Sequence, residues 1–524
     1  MEDDSLPYES RRAPLFAKNI VATSQPLAAQ AGLNILKAGG NAVDAAIATA
    51  ITLTVVEPTG NGLGSDAFAI VWDGNQLHGV NGSGKSPRAW SRKYFEKYDE
   101  MPQFGWDTVT VPGAVSTWVA LSEKFGKLAF GRLFEEAIRY GESGFHVGFR
   151  TAYDWNHGPE SWYSGYDAFR DEFLPAPKTG DLIVRPDISR TLSEIAVTKG
   201  ESFYRGSLAE KIEKAAKTGG GGLRLEDLED HETEFVKLIS QNFHDVCVHE
   251  IPPNGQGIAA LIALGILEKR PLDQLDSLDS FHVQIEAMKV GLFLADRYVA
   301  DQKQMKLQAA DLLDEYLLRE YARKIGKSAS PMPPIDRLKG ADTVYLSACD
   351  SSGVMVSFIQ SNYFGFGSGI VVPRTGIALQ NRGWGFTLER GHPNEVGPDK
   401  KPFHTIIPGF LTKGSRPFGS FGVMGGPMQA QGHLQMINRI VNYHQNPQAA
   451  SDAPRWQILS DFSVAVEPGF PSSVAEGLLE RGHKVKYMTS YHSFGGAQIV
   501  LNNDNDNGYV AGSDHRKEGA AVGF

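Results

Sequence analysis

Cysteine is nearly absent: 524 residues contain only Cys247 and Cys349. Two thiols permit one bridge at most, and no CxxC pair exists, so neither a disulfide framework nor a thiolate zinc site can organise the chain. Both lie in apolar stretches and read as buried free thiols. Long apolar runs are also missing. The longest uncharged one, 45–56, covers 12 residues and includes Thr49, Thr52 and Thr54, well short of the roughly 20 residues that cross a bilayer. The opening MEDDSLPYESRR is acidic and polar, without the apolar core of a secretory signal. A cytoplasmic protein with no membrane partner is expected. There is no basic cluster: 51 Lys and Arg stand against 61 Asp and Glu, a net charge of -10, which argues against a nucleic-acid partner. HExxH, EF-hand, GxxxxGK[ST] and GxSxG patterns are all absent. The fourteen histidines do not fall at ligand spacing. Neither a metal nor an organic cofactor is expected. No fixed-period repeat points to a solenoid or propeller.

What is present is a globular composition, 41% hydrophobic and 21% charged, in a chain long enough for three or four units of about 150 residues. Pro26 to Lys37 has helical spacing and ends at Gly39-Gly40. Asn41 can cap a second helix, Ala42 to about Val56, which is apolar all round and therefore buried. Phe68 to Trp72 and Gln76 to Val80 read as a hairpin across Asp73-Gly74-Asn75. Residues 110 to 330 read as mainly helical, with Phe281 to Val299 the clearest stripe. The glycine runs 60–64 and 365–369 do not sit between strand and helix, so they read as tight turns around a site.

The segment 325–342, IGKSASPMPPIDRLKGAD, holds Pro331, Pro333, Pro334, Gly326 and Gly340. It cannot be regular helix or central strand and reads as an exposed connector. A strand pattern begins at once, Thr343 to Cys349. A turn at Asp350 to Gly353 and a second strand, Val354 to Gln360, follow. A threonine hydroxyl is a poor nucleophile without a neighbouring base. An N-terminal threonine carries its own, the α-amine, with a pKa of about 7.7–8.0. Cleavage between Asp342 and Thr343 would create that arrangement.

The runs GLNILKAGGNAVDAAIATAITLTVVEP (32–58), NGLGSDAF (61–68), VPGAV (111–115), IPPNGQGIAAL (251–261), IEAMKVGLFLADR (285–297), DTVYLSACDSSGVMVSF (342–358), FGSGIV (366–371), PDKKPFHTIIP (398–408), MGG (424–426) and SDHRKEGAAVGF (513–524) resemble, in order, the γ-glutamyltranspeptidase family. The resemblance covers nearly the whole chain. It implies an N-terminal-nucleophile hydrolase with an α+β, four-layer αββα sandwich. It also implies a proenzyme that cleaves at Asp342–Thr343 into a large subunit, 1–342, and a small one, 343–524, in one intertwined fold. Thr343 matches the processing threonine and nucleophile. Gly425 and Gly426 match the glycine pair whose N–H groups hold the oxyanion. Asn362 matches the asparagine beside the nucleophile if one residue is inserted before Phe366. Gln360 falls where the family has a threonine bonded to the nucleophile.

The departures concern the substrate. In GVNGSGKSP (79–87) Ser83 stands where the family has its carboxylate-binding arginine, with Lys85 and Arg88 nearby. In QNRGWGF (380–386) Gly385 stands where the family has the acid that binds the α-amine, and Arg382 replaces a glutamine. His404 and Thr405 replace paired serines. Both clamps for an amino-acid zwitterion are therefore missing, and a bidentate arginine contact is not replaced by serine. Arg382, His404, Thr405 and Ser83 remain as candidate substrate-binding residues. The pocket they imply suits an acyl group with a carboxylate or keto-acid and no α-amine, with γ-glutamyl transfer or glutathione hydrolysis, the default that the resemblance implies, as the other reading. SFIQS, QNRG and KPFHT resemble the oxamate-amidohydrolase and cephalosporin-acylase branches of the family. The expected partners are a small acyl amide and the other subunit of the same precursor, with a homo-oligomer of heterodimers compatible. Asp514-His515-Arg516 reads as an ion-pair feature, with Arg516 helping to close the site as the alternative. A rival of another class is an unprocessed, non-catalytic binding homologue, disabled by Val344 and Gln360.

Overall fold

The computed structural model describes residues 12–272, 274–333, 335, 342–503 and 508–524, without the side chains of Pro159 and Glu160. The fold mixes helix and sheet. The second helix, Ala42–Val56, is buried along its whole length. Asn41 caps it reciprocally: its side chain accepts from Asp44 N–H, and the Asp44 carboxylate accepts from Asn41 N–H. Such a cap contributes about 1 kcal/mol. The expected hairpin spans Asp66–Trp72 and Leu77–Asn81, with Asp73 Oδ1 accepting from the N–H groups of Asn75 and Gln76. The helical reading of residues 110 to 330 holds for Leu278–Tyr298. It misses the strands Glu234–Val236, Ile239–Phe243 and Val246–Glu250, whose short polar–apolar alternation is hard to hear between helices.

Two seven-stranded sheets form the frame. One runs in the order 520–523, 20–23, 342–349, 355–363, 66–72, 77–81, 234–236. The other runs 15–17, 509–513, 496–502, 416–424, 409–413, 246–250, 239–243. All of these pairings are antiparallel. Both sheets contain strands from before and after residue 342, so a cut at that point would leave two interleaved pieces.

Side chains alternate across each strand, and the alternation sorts the core. Phe68, Ile70, Tyr345 and Ile359 of the first sheet meet Phe410, Met424, Val500 and Tyr509 of the second. The opposite face of the first sheet, with Val344, Leu346 and Phe358, packs on the helices around Ala42–Val56. The opposite face of the second, with Val423 and Ile499, packs on Gly257–Leu267 and Met428–Ile437.

The connector is tied down more than its composition suggests. Gly326 O accepts from His282 Nε2, Ala329 N–H donates to Arg481 O at 2.7 Å, and Ser330 N–H donates to Glu286 at 2.9 Å. Ile335 is buried and bonded to Ser460 O. Pro334 and residues 336–341, including Gly340, lie outside the described residues. Both cysteines are free, Cys349 buried and Cys247 only half-buried, which corrects the expectation for Cys247. Among the described residues no helix is long and apolar enough to cross a membrane, and no cluster of His, Cys, Asp and Glu could hold a metal.

Candidate active site

Thr343 is the second residue of the strand Asp342–Cys349 and is 2% exposed. Odd-numbered residues here point between the sheets, so its hydroxyl faces inward beside the end of the second sheet. Thr343 Oγ1 lies 2.6 Å from the carbonyl oxygen of Asp342 and 3.1 Å from Ser361 Oγ. Ser361 Oγ accepts from Tyr363 N–H at 2.8 Å and donates to the same Asp342 carbonyl at 3.0 Å. Gln429 Nε2 reaches Thr343 Oγ1 from the other sheet's helix, at 3.4 Å. The carbonyl oxygen of the bond joining Asp342 to Thr343 thus accepts from two hydroxyls, those of Thr343 and Ser361.

The strand partner of Thr343 is not the one expected. Val344 pairs with Gln360 and Asp342 with Tyr363, so a bulge sets both Ser361 and Asn362 against Thr343. Gln360 points to the helical side. Its amide donates to Ala50 O and Asn61 Oδ1 and accepts from Trp118 Nε1. The expectation that Gln360 orients the nucleophile is therefore corrected, and Ser361 occupies that place. The physical reason is register. A strand starting at Val354 opposite Cys349 would bring Gln360 across from Thr343. The loop in fact extends to Val354, Cys349 faces Met355, and a one-residue slip turns every side chain to the other face. Asn362 is beside the nucleophile in the backbone, its N–H donating to Gly60 O at 3.1 Å. Its side chain is engaged by Ser65 at 2.8 Å, and no bond from it to Thr343 is formed. Gly60 packs closely here: a Cβ there would sit 3.1 Å from Thr343 N, tighter than most such contacts.

Gly425 and Gly426 follow the strand Arg416–Met424 and precede the helix Met428–Ile437. Both have positive φ, +117° and +55°, a backbone region that glycine enters without a steric cost. Among the described residues neither N–H donates to any protein acceptor. Gln429, in the first turn of that helix, is the residue that contacts Thr343. The pair is thus positioned by the same element that touches the nucleophile. Gln256 Nε2 ties Gly426 O (2.9 Å) to Thr405 O (2.5 Å).

Thr405 Oγ1 in turn accepts from Arg382 Nη1 at 2.7 Å, and the Tyr363 ring lies 4.5 Å from the guanidinium carbon. Arg382 and Thr405 are therefore brought to the same site as Thr343. His404 is fully buried and faces Asp66, Nε2 to Oδ2, at 3.0 Å. Burial, with Arg382 and Lys401 nearby, holds its pKa well below the ordinary histidine value, so the ring is neutral. Asp66 also accepts from the N–H groups of Gly113 and Gly84. Burial pushes its carboxyl up to about 7, against the pull of Arg382. Ser83 is buried against Asn81 and Asn254. It borders a polar cavity of about 600 Å³ on the side of Lys401 and His231. Lys85 and Arg88 line the same cavity, where they are held by Asp399 and Asp230 in exposed ion pairs. Arg516 pairs with Glu467 and Asp514, and Asp514 binds Arg455 and Ala497 N–H. This network braces the strand end at Gly495–Gly496, against which Gly425 packs.

Ser361, Gln429, Asp66, Tyr363 and Gln256 are residues that sequence reasoning passed over. Asp66 is recoverable as a lone acid opening an apolar strand; Ser361 is not, because its strand is buried on both faces and its register is set by the loop.

The Asp342–Thr343 bond lies in a charged neighbourhood. The Asp342 carboxyl is raised by burial and by Asp154, with Lys517 and Arg150 opposing. Glu57, bonded to Ser24 Oγ at 2.5 Å, is raised from 4.5 to about 7, chiefly by burial. The folded chain keeps that proton between about 4.5 and 7, where the unfolded chain has lost it, so this group's contribution to stability falls as pH rises through the window. Relative to wild type, Glu57→Gln is expected to gain stability from pH 4.5 to 7, by up to about 3 kcal/mol, and to stay level above. Denaturant melts across that range check it; a constant difference rules the shift out.

Comparison with known proteins agrees with this geometry. The sequence model of the gamma-glutamyltranspeptidase family matches residues 28–524. The chain is 33% identical to a glutathione hydrolase-like proenzyme of Bacillus subtilis strain 168, covering 98% of this chain and 100% of that one. It is 30% identical to an oxamate amidohydrolase proenzyme of Klebsiella pneumoniae, covering 95% and 97%. A crystal structure of a cephalosporin acylase from Bacillus halodurans superposes with a TM-score of 0.96 at 45% identity, over 100% of this chain and 99% of that one. The chain belongs to the gamma-glutamyltranspeptidase family, whose members are amidohydrolases and acyltransferases.

Proposed function

We propose that this protein is a self-cleaving threonine amidohydrolase whose two-sheet frame is the four-layer αββα sandwich of N-terminal-nucleophile hydrolases. The observation that carries the reading is the contact of Thr343 Oγ1 with the Asp342 carbonyl, under the Ser361 hydroxyl. In maturation Thr343 Oγ attacks the Asp342 carbonyl carbon. The C–N bond breaks, the amine takes up the proton lost by the hydroxyl, and an Asp342–Thr343 ester results. Water hydrolyses the ester, leaving the Asp342 carboxylate on one chain and the Thr343 hydroxyl beside its own α-amine on the other. Residues 1–342 and 343–524 then form the large and small subunits of one interleaved heterodimer.

In turnover the α-amine takes the Thr343 hydroxyl proton as Oγ attacks an amide carbonyl. The N–H groups of Gly425 and Gly426 stabilise the oxyanion, the amine leaves with the proton, and water releases the acyl-enzyme. These side chains complete the reaction without a bound metal or organic group. Relatives named for glutathione, oxamate and cephalosporin substrates bracket the acyl group. In this chain Ser83 is committed to Asn81 and Asn254, and no acid stands at Gly385. The acyl group is therefore not read as an amino-acid zwitterion. Glutaryl-p-nitroanilide is expected to turn over at least ten times faster, by kcat/KM, than γ-glutamyl-p-nitroanilide. A preference for the α-amino compound would overturn this substrate assignment and leave the amidase assignment in place.

A further inference from the structure

Arg382 is fully buried, yet only part of its guanidinium is used. Nη1 donates to Thr405 and the face is stacked on Tyr363. Nε and Nη2, which share one edge of the planar group, have no acceptor among the described residues. Asp66 is close enough to influence Arg382 electrostatically, but no ion pair forms between them among the described residues. Its carboxylate is spent on Gly113, Gly84 and His404. Leaving charged donors buried and unpaired is costly, and two parallel N–H groups on one guanidinium edge match the two oxygens of a carboxylate. The edge is also well placed. Thr405 and Gln256 link it to Gly426, and Tyr363 contacts Trp384 at 5.3 Å, which borders a cavity of about 600 Å³.

We infer that the Nε–Nη2 edge of Arg382 is a bidentate anchor for a carboxylate, and that the acyl group presents this carboxylate without an ammonium beside it. The second half rests on the amidase reading above; the first does not. An ammonium next to the carboxylate would face a fixed guanidinium in a buried site where, among the described residues, the nearby acid Asp66 is already engaged by His404, Gly84 and Gly113. Thr405 and Tyr363 lock the plane of the group, so lysine, a point charge without the fork, cannot reproduce the contact.

The test is calorimetric titration of glutarate and of L-glutamate into self-cleaved wild type, Arg382→Met and Arg382→Lys. Cleaved protein is the form to titrate because Asp342 pairs with Tyr363, whose ring covers the guanidinium. Intact mass and thermal midpoint report the folding and cleavage of each variant. Glutarate is expected to bind wild type at least 100-fold more tightly than Arg382→Met, with Arg382→Lys closer to Met than to wild type. L-Glutamate is expected to bind wild type at least tenfold more weakly than glutarate. If Arg382→Met is unstable, the lysine variant carries the comparison. Equal glutarate binding in wild type and variants, or none in wild type, overturns the anchor and leaves the edge as a water bridge toward Asp66. Tighter binding of L-glutamate overturns the ammonium exclusion. Failure of self-cleavage or of anilide turnover would instead sink the proposed reaction, which the titration does not read.

Discussion

Thr343→Ala is expected to leave one uncleaved chain of 57.1 kDa with no amidase activity, measured by intact mass and anilide hydrolysis. The loss should be complete because in the proposed reaction the same oxygen serves both steps. It attacks the Asp342 carbonyl to free the amine, and the amine then serves as its base. The alanine variant should fold. The methyl and hydroxyl it loses sit at the bulged end of a strand whose ladder, from Val344 to Cys349, is otherwise continuous. Thr343→Ser keeps the oxygen and should cleave, more slowly. Normal cleavage in Thr343→Ala would remove Thr343 as the nucleophile. A wild-type chain that stays whole would favour the non-catalytic rival.

Ser361→Ala carries the second-largest effect. Ser361 accepts from Tyr363 N–H, which directs its own hydrogen toward Asp342 O. Removing one donor of this kind from a developing oxyanion costs about 10²–10³ in rate, so self-cleavage should slow by at least 100-fold. Time-resolved denaturing gels after expression would show it. Gln360→Leu gives the contrast. It deletes a buried amide bonded to Ala50, Asn61 and Trp118. It should lower stability by a few kcal/mol while the protein that remains folded still cleaves. If Gln360→Leu blocked cleavage and Ser361→Ala did not, the register argument would be wrong.

These two variants show where the sequence was readable. The helix Ala42–Val56 and its Asn41 cap follow from local chemistry: an apolar run, a side chain that can accept from the first turn, and an acid three residues on. The place of Thr343 near the head of a strand follows from ordered motifs and from the break between a proline-rich connector and a strand. The glycine pair follows from its motif, and positive φ at both positions explains why glycine stands there. Local chemistry does not fix strand register. Residues 355–363 are buried on both faces, so no polar stripe marks which side meets Thr343.

The sequence by itself determined the family, the position of Thr343 at the head of a strand, and the absence of the two charge clamps. Those depend on residue identity and order along the chain. Only the tertiary structure decided that Ser361 rather than Gln360 meets the nucleophile, because a loop longer by one residue reverses a strand's faces. Only it showed that Lys85 and Arg88 turn to surface acids. Only it showed that Arg382 is buried with one edge free, because pairing distances between residues hundreds of positions apart are set by how the two sheets and their helices pack.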